Sequence, residues 1–157
     1  MPHAIALVCV FTLLECGGGG GETVTLTLHE EGAARSVVLE GDGAAEAHRL
    51  LAGILAGADR TLRLYLDGDR VETLKRTERC VEVVYASPRT FQNPLRGRIT
   101  LLRALLPLTG DLAGTETHPL VSILPGMETC AGSPLRNPSG LPLLRELEAL
   151  AGGSSPR

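Results

Sequence analysis

From Glu22 to Glu30 the chain reads ETVTLTLHE and alternates without a break, with Val24, Leu26 and Leu28 on one side and Thr23, Thr25, Thr27 and His29 on the other. A period of two with one apolar side is the pattern of a half-buried antiparallel strand. Glu31-Gly32 follows as a turn, and Ser36 to Glu40 (SVVLE) supplies a second strand, so the pair predicts a hairpin. The period then changes. Between Gly43 and Ala56, the positions Ala47, Leu50, Leu51 and Ile54 share one helical face, with Asp42 placed to cap the helix and Gly57 to stop it.

Thr61 to Leu66 (TLRLYL) alternates again and predicts a third strand. The stretch after it admits two readings. Asp67-Gly68 can turn a hairpin, or Asp69, with Glu72 behind it, can open a short helix that carries Val71 and Leu74 inward. Residues 72–79 do not alternate, which favours the helix. Further strands are predicted at Cys80 to Tyr85, with Val81, Val83 and Tyr85 on one side, at Arg98 to Leu106, and at Leu120 to Leu124 between Pro119 and Pro125. A last helix starts at Ser139, tolerates Pro142 in its first turn, buries Leu143, Leu144, Leu147 and Leu150, and ends at Gly152. This order predicts an α+β domain whose mostly antiparallel sheet carries two main helices on one face.

Two irregular segments interrupt the pattern, PLTGDLAGTETHP at 107–119 and PGMETCAGSPLRNPS at 125–139. Loops held by a scaffold are where binding residues concentrate, so Asp111, Glu116 and His118 in the first and Met127 and Arg136 in the second are the candidate binding residues. The segments flank one strand and should emerge at its opposite ends, which argues against a single pocket built from both.

Composition narrows the class. At 157 residues, 43% of them apolar, the chain can bury one core, assigned to residues 22–151, with 152–157 as a disordered tail. A net charge of −3 excludes a strongly basic nucleic-acid binder, and Tyr65, Tyr85 and Phe91 are few for base stacking. No GxSxG, HExxH or phosphate-binding glycine loop is present. Asp111, Glu116 and His118 share a loop but not the spacing of metal ligands, so neither a metal nor a cofactor is expected.

Ala4 to Leu14 (AIALVCVFTLL) is uncharged, of signal-peptide length, and too short to span a bilayer about 30 Å thick. Leu13-Leu14-Glu15-Cys16 follows, then five glycines at 17–21. Residues 1–16 thus resemble the signal peptide and lipobox of bacterial lipoproteins, with Leu13 and Cys16 in the matching positions and Leu14 and Glu15 departing from the usual small residues. The resemblance implies export, lipid attachment at Cys16 as the mature first residue, and membrane contact through that anchor alone. The glycines would then form a tether with a root-mean-square reach of roughly 12 Å.

With Cys9 in the signal and Cys16 at the anchor, the body keeps Cys80 and Cys130. In an oxidising compartment such a pair is expected to bridge, stabilising the fold by about 4 kcal/mol in the chain-entropy model. The resulting expectation is an exported, non-enzymatic domain of the cell envelope or exterior that binds a protein or an envelope polysaccharide. A secreted protease inhibitor presenting residues 127–133 is the second reading. A small hydrolase using His118 with an acidic partner is the third.

Overall fold

The computed structural model describes residues 22–153. The proposed signal, Cys16 and the glycine tether therefore lie outside the described residues, as do 154–157 of the tail. Seven strands form one sheet in the order β2-β1-β4-β5-β6-β7-β3, every neighbouring pair antiparallel. In chain order they are β1 (Val24–Glu30), β2 (Ala33–Leu39), β3 (Arg60–Thr61), β4 (Cys80–Asn93), β5 (Gly97–Pro107), β6 (Val121–Gly126) and β7 (Leu135–Asn137). Three helices join them: α1 (Gly41–Ala56), α2 (Gly68–Thr77) and α3 (Leu141–Ala151). The α+β class and the antiparallel sheet are as the periodicity predicts.

The β1-β2 hairpin closes on Glu31 and Gly32, both at positive φ (51° and 78°), the geometry of a two-residue turn that follows the twist of its strands. Alternation along each central strand then decides which side faces which helix. Val24, Leu26 and Leu28 of β1, Val81 and Val83 of β4, Ala104 and Leu106 of β5, and Val121 and Ile123 of β6 join α1 and α3 in the large core. The opposite faces of β4, β5 and β6 place Cys80, Leu105 and Leu124 in a smaller cluster with Val71 of α2. The two main helices thus share one face, and the short helix covers part of the other.

Several boundaries moved for local reasons. Residue 40, not Asp42, occupies the N-cap position of α1, and Asp42 sits in the first turn where its charge suits the helix dipole. Asp67, not Asp69, caps α2, accepting the Arg70 N–H at 2.9 Å. The predicted strand at 61–66 survives only as β3. Leu62 N–H donates to the Pro134 carbonyl, but Pro134 has no N–H to return, so the ladder stops and resumes only at Leu66, which exchanges two hydrogen bonds with Gly132. β4 runs on to Asn93, beyond the predicted end at Tyr85, past a register shift between Val84 and Arg89 that marks a bulge around Pro88.

The C-terminus of α1 is closed from outside. Asn93 Nδ2 donates to the Leu55 carbonyl and Asn137 Nδ2 to the Ile54 carbonyl, each at 2.8 Å, and both asparagines are buried. These bonds satisfy carbonyls that the helix cannot pair itself. They also fix the β4-β5 turn and β7 to the same helix end.

Candidate functional site

Three groups converge on one buried carboxylate beneath α2. Glu82 of β4 receives Lys75 Nζ at 3.1 Å and His29 Nε2 at 3.0 Å, and an Arg103 guanidinium nitrogen lies 3.6 Å away. Burial lowers the Lys75 pKa, but the hydrogen bonds and charges of Glu82 and Glu72 outweigh it and leave the net shift upward. Lys75 therefore stays charged, and the network pins α2 to the sheet. Beside it a recess of about 190 Å³ is lined by Lys75, Arg103, Glu128 and Cys130.

The sequence-expected bridge between Cys80 and Cys130 is not formed: both are free, buried thiols within the same apolar cluster. Burial, then the charge of Glu78 for Cys80 and of Glu82 for Cys130, pushes each thiol up to about 12. Thiols so placed stay protonated at neutral pH and are poor nucleophiles. The polar centre under α2 is thus arranged for cohesion rather than for covalent chemistry.

On the other flank of α2 a cleft of about 300 Å³ opens to solvent. Leu64, Leu66, Leu74 and Leu112 give it apolar walls; Arg70 stands toward one end of the helix, and Glu78 and Asp111 belong to the other. Leu64 is 38% exposed and Tyr65, next in the chain, 65%. The broken ladder explains this. With no backbone partner among the described residues between Leu62 and Leu66, residues 63–65 leave the ladder and expose Leu64 and Tyr65.

The predicted site residues scatter. Asp111 lines the cleft from a 3₁₀ turn, Asp111–Ala113, that Ser122 anchors by donating to the Leu112 carbonyl at 2.6 Å. Glu116 and His118 lie in a tight turn where the Thr115 and His118 main chains exchange two bonds, and His118 Nδ1 meets the Thr117 hydroxyl at 3.1 Å. Met127 is 44% exposed just past β6. Arg136 is not a loop residue: it sits on β7 and clasps the Asp59 carboxylate with two guanidinium nitrogens, which hold that carboxyl below its ordinary range.

The two irregular segments each line a different hollow, Asp111 and Leu112 in the cleft and 128–130 in the recess, both against α2. Sequence reasoning missed Leu64, Arg70 and Glu78. Leu64 had one visible signal, its place in the apolar TLRLYL stretch opposite a proline, and Arg70 and Glu78 had none. Among the described residues no group of three His, Cys, Asp or Glu is disposed to hold a metal ion, and no helix is long and apolar enough to cross a membrane. No family model matches the chain, and comparisons with curated proteins and with solved structures likewise find no match.

Proposed function

We propose that the chain is an exported, non-enzymatic binding domain, lipid-anchored at Cys16 at the cell envelope, that holds a protein partner in the cleft beside α2. The observation that carries the reading is the pairing of a 300 Å³ apolar cleft with the exposed Leu64 on its wall, beside the exposed Tyr65 in the chain. An apolar hollow with a few charged groups at its ends suits protein side chains better than the hydroxyl-rich surface of a polysaccharide. The inert thiols and the saturated Glu82 network support binding over catalysis.

Site-specific photo-crosslinking in intact cells tests it. A crosslinker at position 65 should give a protein adduct that Leu64→Ser abolishes, whereas one at position 38, an exposed apolar site on β2, should not. Equal yields from both positions, or no protein adduct, would refute the assignment. The mass of the N-terminal peptide from the native host decides the anchor, since it must begin at an acylated Cys16.

A further inference from the structure

The charges around the cleft are sorted by sign, and the sorting names the kind of segment that fits. Arg70 lies in the first turn of α2, donates to the Asp67 cap through no side-chain atom of its own, and turns its guanidinium toward the Tyr65 carbonyl at 3.5 Å. Glu78 follows the last turn, about 12 Å further along the helix axis. Its carboxylate accepts from Thr109 Oγ1 at 2.7 Å and lies so close to Gly110 that an added Cβ there would come within 2.5 Å of it. Gly110 holds φ 78°, so the chain passes tightly over Glu78 and delivers Asp111 to the same end of the cleft.

The partial negative charge of the α2 C-terminus adds to these two carboxylates. Arg76, in the last turn, turns its guanidinium back to the Thr73 hydroxyl at 3.5 Å, and among the described residues it forms no ion pair with Glu78 or Asp111. Arg79, next in chain to Glu78, is engaged elsewhere, by Glu30 at 3.1 Å and Glu148 at 2.6 Å. Among the described residues no cation pairs with Glu78 or Asp111, so a ligand's cation meets no competitor bound there, and the apolar walls between the two ends accept an aliphatic side chain.

We infer that the occupant is an extended protein segment in which an aliphatic residue fills the cleft and a nearby Lys or Arg reaches Glu78 and Asp111. This rests on the proposed cleft and specifies its partner. The two contributions are separable: apolar contact with Leu64, Leu74 and Leu112 supplies attachment, and the carboxylates supply selection by charge.

Fluorescence anisotropy with the full chain in detergent tests it, using labelled peptides that share a central leucine and differ only in whether Arg, Gln or Glu lies three residues on. The Arg peptide should bind about five- to tenfold more tightly than the Glu peptide, the size of two part-exposed ion pairs. Asp111→Asn should shrink that ratio without moving the urea midpoint, and raised salt should shrink it too. Leu64→Ser should weaken every peptide alike. Equal affinities across the series, or tighter binding of the Glu peptide, overturn the charge selection and leave the cleft standing. Failure of every peptide, or affinities indifferent to Leu64→Ser, overturns the cleft as well.

Discussion

The two faces of the sheet are built on different physics. Beneath α1 and α3 lie Leu26, Val83, Leu50, Leu51, Ile54 and Leu147, all fully buried and all aliphatic. Beneath α2 lies a mixed layer in which a small apolar cluster with two thiols surrounds the Glu82 ion network. The first face rests mainly on volume and shape, with directional bonds from Asn93 and Asn137 confined to the C-terminal end of α1, so most of its stability is non-directional. The second depends on particular partners, because a buried carboxylate is tolerated only while its donors are in place. That dependence fixes α2 in position while covering little area, and it leaves the flank of the helix open as a cleft.

The contrast can be broken at each face. The largest loss is expected from Leu147→Ala, where a cavity opens in the α1-α3 core: about 4 kcal/mol, read as a lower urea midpoint with unchanged ligand selectivity. Glu82→Ala should cost less, about 3 kcal/mol, because Lys75 and His29 lose their buried partner. Glu82→Gln should recover part of this through its amide oxygen. If Glu82→Ala were neutral, the second face would be held by packing alone and the contrast would fail.

The smallest effect is alkaline. Both thiols have folded pKa values raised from 9.0 to about 12, so the unfolded chain releases their protons first. Their contribution to stability is complete below pH 9.0 and falls as pH rises toward about 12, by on the order of 1 kcal/mol per thiol at pH 10. Urea midpoints from pH 8 to 10 should decline, and the double substitution Cys80→Ala and Cys130→Ala should flatten the slope.

Legibility in the sequence followed the range of the interaction. The α1 stripe, the β1-β2 hairpin and α3 were readable because burial on one side imprints a period on neighbouring residues. β7 was not, since Leu135-Arg136-Asn137 between two prolines is too short to show one. Of the cleft only Asp111 was anticipated. Leu64 was read as a strand residue, and Glu78 belongs with Asp111 solely because the chain at Gly110 folds over it.

The sequence by itself determined the order of the long elements, the α+β class and the inward face of each long strand and helix, because those are local periodicities in hydrophobicity. Tertiary structure alone decided that His29, Lys75 and Arg103 meet on Glu82, that Asn93 and Asn137 close α1, and that a proline opposite Leu62 frees residues 63–65 to make a cleft. Those contacts join residues 7 to 83 positions apart, many of them polar, and no periodic pattern records which distant donor will meet which acceptor.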